Sequence, residues 1–410
     1  MKYILVIGDG MADNPVPELG NITPLEYANI PTMDDMADKG EYGYVYNVPE
    51  GLPAGSDTAI MSIFSCDPRV CFRGRAPLEV AASGVKLAPG SAAYRCNMVA
   101  FEDGDMPFEE KKILSHSAGS IEGDESIAII TALFEDPEFK AAADKAGIIV
   151  HKSPNFRHFA VQTNADIKGI SLIPPHDHLG EKLGQYLPSG CENAKVLKDL
   201  MILAHKKLDH HPLNEKRRQA GKLPANGIWF WAEGTAVALP NFVEQYGKTG
   251  GVVSAVPLCH GIASLIGLDM ISVEGATGEL ETNYEGKVEA ALKVLEDHEF
   301  VAVHLEAPDE CTQNGDTPGK IKAIENLDAL IIAPLAEKLK EKGEDFRMLI
   351  LSDHKTLTST RGHDGTEVPY VIYDSRKDNK NGIKYSEKDC SVGGVNVDAG
   401  VKLMGMLFKD

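Results

Sequence analysis

The sequence predicts an α/β protein built around a doubly wound, largely parallel sheet. Three short, almost continuous apolar runs are typical of strands covered on both faces, and they span residues 2–7, 300–305 and 346–351. Helical periodicity lies between them, with one apolar face over 286–295 and another over 321–339. Pro334 is expected to kink or break the second of these helices, because proline lacks a backbone N–H. Strands that alternate with helices indicate a parallel sheet.

The length of the chain predicts two domains. At 410 residues it exceeds what one hydrophobic core usually supports. Its formal net charge of −20 argues against nucleic acid or an anionic membrane surface as the main partner. An anionic substrate would therefore need clustered arginines to provide local positive potential. The sequence leaves the oligomeric state open.

The cysteines and the N-terminus both favour the cytoplasm. The seven cysteines show no paired spacing, so reduced thiols are expected rather than a disulfide scaffold or a zinc knuckle. The apolar run after Met1 is too short for the core of a signal peptide, and Asp9 follows it at once. No apolar stretch approaches the length that spans a bilayer.

Polar residues follow each predicted strand at its carboxyl end. They are Gly8-Asp9-Gly10, the segment 306–310 and Ser352-Asp353-His354. In open α/β sheets the ligand crevice lies outside the carboxyl ends of the strands. A single acid in such a place is most often a helix cap or a turn residue. Three acids that converge on one edge of a sheet need a cation to balance them.

These segments and one later histidine supply a mixed oxygen and imidazole donor set. Such a set suits Mn²⁺ or Zn²⁺, and Mg²⁺ is an alternative. The candidate ligands are Asp9, Asp309, Asp353, His354 and His363. The competing interpretation is a capped turn at residues 353–354 and an ordinary loop histidine at 363.

Ser56 is the candidate nucleophile. It follows a loop rich in glycine and proline and precedes the apolar run 59–64, which can open a helix. A serine in this position is usually a helix N-cap. The alternative is a hydroxyl beside a divalent cation at the positive end of a helix, which would be activated for attack on a phosphoryl group.

Several motifs, taken together and in order, point to one family. They are residues 8–13, 55–57, 74–79, 95–97, 174–177, 214–218, 275–278, 307–310, 353–354 and 363. Along almost its whole length the chain resembles the archaeal-type, 2,3-bisphosphoglycerate-independent phosphoglycerate mutases of the alkaline phosphatase superfamily. The resemblance implies an alkaline-phosphatase-like metal domain, interrupted by an inserted α/β (α+β) substrate-handling domain. We place the metal domain at 1–74 plus 225–410 and the inserted domain at 75–224.

The resemblance also implies roles for individual residues. One metal would be held by Asp9, Ser56, Asp353 and His354, and the other by Asp309, His363 and a third ligand. Ser56 would accept the phosphoryl group of 3-phosphoglycerate and return it to give 2-phosphoglycerate, with Mn²⁺ as the expected metal. The substrate is then a small phosphorylated anion in glycolysis. The expected substrate-binding residues are Arg95, Arg157, Arg217, Arg218 and His260.

The chain departs from the family pattern at a few positions. Gln313 stands where the family has a histidine as the third ligand of the second metal, so we expect that site to be weaker. His260 replaces a lysine, Leu357 replaces a proline, and the segment 229–234 is rich in tryptophan. That segment resembles the corresponding segment of a bacterial branch of the family, which has been proposed to act as homoserine kinase. A homoserine kinase-like phosphotransferase and a degenerate member with a binding role are therefore the alternative functions.

Overall fold

The computed structural model describes residues 1–409 and divides them into two units. The first unit consists of residues 1–72 and the chain from Ala238 onward, and the second consists of Arg73–Val237. No helix within residues 1–409 is both long and apolar enough to cross a bilayer.

The strands are numbered in chain order. They are β1 (Lys2–Gly8), β2 (Glu41–Val45), β3 (Ala92–Phe101), β4 (Ile113–Ser115), β5 (Ile148–His151), β6 (Arg157–Gln162), β7 (Gly227–Thr235), β8 (Gly250–Val253), β9 (Asp269–Ile271), β10 (Phe300–Leu305), β11 (Phe346–Leu351), β12 (Lys355–Leu357), β13 (Gly362–Asp364) and β14 (Val368–Asp374).

The α-helices are numbered in the same way. They are α1 (Pro24–Tyr27), α2 (Pro31–Lys39), α3 (Ser56–Ile63), α4 (Pro68–Cys71), α5 (Ala76–Ala82), α6 (Gly123–Glu135), α7 (Pro137–Ala146), α8 (Glu192–Leu208), α9 (Pro212–Gln219), α10 (Phe242–Tyr246), α11 (Pro257–Ile266), α12 (Tyr284–Asp297), α13 (Ala307–Gln313), α14 (Thr317–Asn326), α15 (Ala333–Glu341), α16 (Glu387–Cys390) and α17 (Leu403–Leu407). Short 3₁₀ turns occupy Pro17–Leu19, Phe108–Glu110, Pro175–His178, Leu183–Tyr186 and Gly400–Lys402.

The first unit is built on a seven-stranded sheet with the order β2-β14-β11-β1-β10-β8-β9. The five strands from β11 to β9 are parallel, and β14 is antiparallel to both of its neighbours. Both faces of the central strand are covered. Ile4 and Val6 join a core with the helices on one face, while Tyr3 on the other face packs edge-on against Phe408 at 5.1 Å. The three predicted strands are present, and the α/β class is confirmed.

The predicted helix over 321–339 contains a change of hydrogen-bonding pattern. α14 ends at Asn326, a π-helical segment spans Leu327–Ile332, and α15 begins at Ala333 with Pro334 in its first turn. Pro334 has no N–H to donate and its ring crowds the carbonyl four residues earlier. The wider π turn lies where those two constraints act, so the helix continues with altered hydrogen bonding instead of ending.

The second unit has an antiparallel sheet with the order β4-β3-β6-β5, and β7 pairs with β3 on its other side. β3 is therefore its central strand and is buried along its length. The side chains of α8 and β7 join those of β3 in one apolar core. The sequence analysis placed the end of the inserted domain at residue 224, before β7. In the structure β7 pairs with β3, and the second unit continues to Val237.

Candidate metal and phosphoryl-transfer site

The polar residues that end three strands meet at one edge of the sheet in the first unit. Gly8 is in register with Leu305 of β10, and Ile7 is in register with Leu351 of β11. The strands end together, so the residues that follow them lie side by side. Asp9, Asp309 and Asp353 are all buried at this edge.

Close approach at this edge requires a glycine at position 10. Gly10 adopts φ +60°, a left-handed conformation that side chains disfavour. A Cβ atom there would lie 2.2 Å from Oγ1 of Thr356 and 2.9 Å from Oδ1 of Asp309. Its backbone N–H donates to Oδ1 of Asp353 at 3.1 Å. The absence of a side chain thus lets the loop after β1 come close to two other segments of the site.

Ser56 is the first residue of α3, and its side chain does not cap the helix. Gly55 occupies the N-cap position, and no side-chain cap hydrogen bond is formed. The Ser56 hydroxyl instead lies 3.2 Å from Oδ2 of Asp9 and 3.1 Å from Nε2 of His354. It is half-buried at the positive end of a helix, which favours an anion at this point.

Asp9, Asp353 and His354 form one group of candidate metal ligands. Each offers a ligand atom within 4.8 Å of the others. Nδ1 of His354 lies 3.2 Å from the carbonyl oxygen of Lys355, which can only accept, so Nδ1 carries the proton. In the neutral ring Nε2 then presents its lone pair to the site, as a metal-binding histidine does.

Asp309, His354 and His363 form a second group, whose ligand atoms also lie within 4.8 Å of one another. Nε2 of His363 lies 3.3 Å from Oδ1 of Asp309. The side-chain amide of Gln313 donates to Oδ2 of Asp309 at 2.6 Å and lies 3.1 Å from Nε2 of His363. In this orientation Gln313 presents an N–H donor to Asp309, where a third ligand would present a lone pair to a metal.

The donor chemistry of the first group fits a divalent cation. Oδ2 of Asp353 is buried and has no hydrogen-bond partner in the described part of the chain, although a buried carboxylate oxygen needs one. Burial raises the pKa of Asp9 well above its ordinary value, and the nearby carboxylates of Asp353 and Asp309 raise it further. A cation among these residues would offset both effects.

Two of the arginines predicted to bind substrate lie on the sheet of the second unit. The guanidinium of Arg95 is buried and pairs with both carboxylate oxygens of Glu79 on α5, with Nε at 2.8 Å. Arg157 is partly buried at the start of β6, and no carboxylate within residues 1–409 lies within ion-pair distance of it. Burial lowers the pKa of Arg157 to about 10, and the charge of Arg95 adds to this effect.

The other two predicted arginines have partners within their own unit. Arg217 is buried, donates to the carbonyl oxygens of Leu223 and Ala118 at 2.8 and 2.9 Å, and pairs with Glu125. Arg218 pairs with three carboxylates, which are those of Asp103, Asp209 and Glu215. These contacts use the guanidinium groups to join loops and helices, as the pairing of Arg95 with Glu79 also does. Arg157 differs from the other three in lacking a carboxylate partner within residues 1–409. Substrate binding by the four arginines stays a prediction.

His260 lies on α11 in the first unit and is half-buried. Burial lowers its pKa below the ordinary value for histidine. Its Nε2 has no hydrogen-bond partner within residues 1–409. His260 is therefore a neutral residue near pH 7 and does not reproduce the permanent charge of a lysine.

A family model described as 2,3-bisphosphoglycerate-independent phosphoglycerate mutase matches residues 37–214. An enzyme of that name from Methanosarcina acetivorans is 41% identical over 410 residues, covering the whole of both chains. The chain belongs to this mutase family. A probable enzyme of the same name from Geobacter sulfurreducens is 40% identical over 413 aligned residues, again with both chains fully covered.

Solved structures agree with the fold of this mutase-family chain. A protein from Pyrococcus horikoshii has a TM-score of 0.79 and 28% identity, over 99% of this chain and 96% of its own. The cofactor-independent phosphoglycerate mutase from Thermoplasma acidophilum has a TM-score of 0.65 and 24% identity, over 99% and 98%. The second similarity shows the fold alone.

Two residues of this mutase-family site were missed by the sequence analysis. Nε2 of the buried His304 lies 2.9 Å from Oδ2 of Asp9, and its Nδ1 lies 3.2 Å from the hydroxyl of Ser254. Burial lowers the pKa of His304 to about 3, so the neutral ring donates to Asp9 through one nitrogen and accepts through the other. Thr356 donates to Oδ1 of Asp309 at 2.5 Å. The signal for His304 was a single polar residue inside an apolar strand.

Proposed function

We propose that this chain is a metal-dependent phosphoglycerate mutase that interconverts 3-phosphoglycerate and 2-phosphoglycerate through a phosphoserine at Ser56. The observation that supports this most directly is the position of the Ser56 hydroxyl. It lies at the start of a helix, 3.2 Å from Asp9 and 3.1 Å from His354, and makes no capping bond. Family membership supplies the reaction, since the two sequence relatives are named for it.

The residues proposed to hold the metals divide into two sets. Asp9, Ser56, Asp353 and His354 would hold one divalent cation, and Asp309 and His363 would hold the other with weaker help from Gln313. We propose Mn²⁺, because carboxylate and imidazole donors occur together, with Zn²⁺ and Mg²⁺ as the alternatives. When bound, such a cation supplies Lewis acidity toward the phosphoryl oxygens and lowers the pKa of a coordinated hydroxyl.

The reaction would proceed as two phosphoryl transfers. In the first, Oγ of Ser56 loses its proton and forms a bond to phosphorus, while the bond from phosphorus to O3 of glycerate breaks and O3 takes up a proton. In the second, O2 of the retained glycerate loses its proton and forms a bond to phosphorus, while the bond from phosphorus to Oγ of Ser56 breaks and Oγ takes up a proton. Each transfer releases one proton and takes up one, so the substrate is isomerised without a net co-reactant. The N-terminus of α3 favours the negative charge of the phosphoryl group in both steps.

The substrate must stay bound between the two transfers. We propose that Arg95 and Arg157 hold anionic groups of the substrate, because guanidinium groups bind carboxylate and phosphate in a bidentate manner. The absence of a carboxylate partner for Arg157 within residues 1–409 supports this role. His260 is proposed as a neutral hydrogen-bonding neighbour of the site and not as a charge.

A direct assay tests the proposal. Purified protein is incubated with Mn²⁺ and 3-phosphoglycerate, and formation of 2-phosphoglycerate is followed by phosphorus NMR. We expect turnover that is lost on chelation and restored by Mn²⁺. A parallel incubation with homoserine and ATP should give no phosphohomoserine. Phosphohomoserine without mutase activity would support the kinase alternative, and no turnover with no bound metal would support a degenerate binding protein.

The comparisons favour the mutase over both alternatives. The two relatives reported above align with this chain over their full length, and both are named as mutases and neither as a kinase. Five of the six carboxylate and imidazole positions expected from the family are occupied by such residues, Gln313 being the exception. That is a nearly complete site, which a degenerate protein would have no need to keep.

A further inference from the structure

One face of the sheet in the second unit gathers two arginines around an indole. In the register of β3, Arg95 stands opposite Trp231 of β7, and Asn97 stands opposite Arg157 of β6. Residues directly opposite one another in an antiparallel ladder share a face, as do residues two apart along a strand. Arg95, Asn97, Arg157 and Trp231 therefore belong to the same face.

The two arginines differ in how their charges are balanced. Glu79 is buried and pairs with Arg95 through both of its oxygens, and its Oε1 lies 3.1 Å from Nε of Arg75. Nε of Arg157 is buried and has no hydrogen-bond partner within the described residues. The carboxylate of Glu79 is thus shared by Arg75 and Arg95. The positive charge of Arg157 has no carboxylate partner within residues 1–409. Such an arrangement is stable only if something else holds Arg157, or if an anion binds there.

The guanidinium groups of Arg95 and Arg157 both contact the indole ring of Trp231. Its ring centroid lies 4.6 Å from Cζ of Arg95 and 5.7 Å from Cζ of Arg157. Both distances lie within the range of attraction between a cation and an aromatic face, and tryptophan gives the strongest such attraction. The phenyl ring of Phe156 lies 5.4 Å from Cζ of Arg157 and adds a second aromatic contact.

The indole ring is itself fixed in place. Its Nε1–H donates to Oδ1 of Asn97 at 3.0 Å, and Nδ2 of Asn97 donates to the carbonyl oxygen of His116 at 2.9 Å. The imidazole of His176 packs edge-on against the indole with a centroid separation of 5.2 Å. Trp231 is only 7% exposed, so these contacts leave the ring little freedom.

We propose that Trp231 is a positioning residue for anion binding, whose indole face holds Arg95 and Arg157 together so that they bind one oxyanion of the substrate. The proposal rests on the mutase function above for the identity of the substrate, a phosphoglycerate with one carboxylate and one phosphate. An aliphatic side chain would fill the space without attracting either cation. The mutual repulsion of the arginines would then move Arg157 away and weaken the oxyanion site.

The test compares substitutions of Trp231 with a matched substitution of Trp229 in the Mn²⁺-loaded enzyme. Trp229 lies two residues away on β7, where its Nε1–H donates to the carbonyl oxygen of Ile173 and no arginine of residues 1–409 stacks on its ring. For Trp231→Leu we expect KM for 3-phosphoglycerate to rise about tenfold while kcat changes less than about threefold. Trp231→Phe keeps an aromatic face and should raise KM less. Trp229→Phe should leave KM unchanged.

A fluorescence measurement supplies a readout that does not depend on turnover. The chain contains two tryptophans, so Trp229→Phe leaves Trp231 as the only one. Titration of that variant with 3-phosphoglycerate should change the Trp231 emission, and titrations with inorganic phosphate and with D-glycerate show which end of the substrate binds. If the mutase assay fails but the emission still responds to 3-phosphoglycerate, the proposed function is wrong and this inference stands.

Other outcomes would overturn the inference. One is an unchanged KM in Trp231→Leu while the wild type is active. A second is an equal loss of kcat and thermal stability in Trp231→Leu and Trp231→Phe, which indicates a structural role only. A third is no response of the Trp231 emission to saturating 3-phosphoglycerate.

Discussion

The hydroxyl oxygen of Ser56 lies 3.1 Å from Nε2 of His354. Because Nδ1 of His354 donates to the carbonyl oxygen of Lys355, Nε2 carries the lone pair and points toward the Ser56 hydroxyl. Asp9 approaches from the other side, with Oδ2 at 3.2 Å from the Ser56 oxygen. Three residues separated by up to 345 positions in sequence thus form one donor group.

His304 should tune metal binding through Asp9. Replacing His304 with alanine removes the hydrogen bond to Oδ2 of Asp9 and is expected to weaken Mn²⁺ binding on the order of tenfold or more, the usual effect of losing a partner behind a ligand. Isothermal titration calorimetry on the metal-free protein measures this. His304→Gln keeps an N–H donor near the position of Nε2 and should retain most of the affinity. Equal Mn²⁺ affinities for wild type and His304→Ala would contradict the role.

Gln313 should limit the second metal. Its amide donates to Oδ2 of Asp309 at 2.6 Å and lies 3.1 Å from Nε2 of His363, so it offers protons where a ligand needs a lone pair. Gln313→His provides an imidazole, and we expect the second Mn²⁺ to bind more tightly in that variant. The metal content after dialysis at graded Mn²⁺ concentrations measures it, and Gln313→Ala is the control that removes the amide alone. An unchanged second affinity in Gln313→His would refute this view of Gln313.

The sequence predicted the site edge better than its surroundings. Asp9, Asp353 and His354 could be placed together because the carboxyl ends of parallel strands share an edge, a rule that needs only the strand positions. His304 could not be assigned in this way, since a histidine within an apolar run is as often a satisfied core residue. For Arg217 the sequence shows a positive charge but not which groups the side chain contacts. In the structure its guanidinium donates to backbone carbonyl oxygens. The π segment before Pro334 likewise depends on packing that the sequence pattern does not encode.

Substitution by methionine should lower the stability of the protein at Arg217 and raise KM at Arg157. Arg217→Met leaves the carbonyl oxygens of Leu223 and Ala118 without donors, and we expect a loss of about 2 kcal/mol in the free energy of unfolding with KM unchanged. Arg157→Met should raise KM for 3-phosphoglycerate and leave stability nearly unaffected. Urea denaturation and steady-state kinetics on both variants check this. A raised KM with full stability in Arg217→Met would contradict this prediction and support Arg217 as a substrate ligand.

Lys287 should make the stability of the protein depend on pH in the alkaline range. It is buried, its Nζ donates to the carbonyl oxygen of His304 at 3.0 Å, and burial lowers its pKa to about 8. Between pH 8 and its ordinary pKa of about 10.4, the unfolded chain binds more protons at this lysine than the folded chain does. The free energy of unfolding of the wild type should therefore rise with pH, by up to about 3 kcal/mol relative to Lys287→Met.

Urea denaturation of both proteins at pH 8 and pH 10 isolates this contribution, because all other titrating groups are shared. The measured quantity is the difference between the two free energies of unfolding at each pH. If that difference is the same at both values, Lys287 keeps its ordinary pKa in the folded state and the prediction is wrong.

The phosphoserine mechanism depends on a single oxygen atom, that of Ser56. The most direct test is the rate of 2-phosphoglycerate formation by Ser56→Ala in the presence of saturating Mn²⁺. Ser65→Ala is the matched control, since Ser65 follows the same helix and donates to the carbonyl oxygen of Val401, outside the donor group. We predict no turnover in Ser56→Ala above the uncatalysed rate and wild-type turnover in Ser65→Ala. Retained turnover in a folded, metal-loaded Ser56→Ala protein would contradict the mechanism.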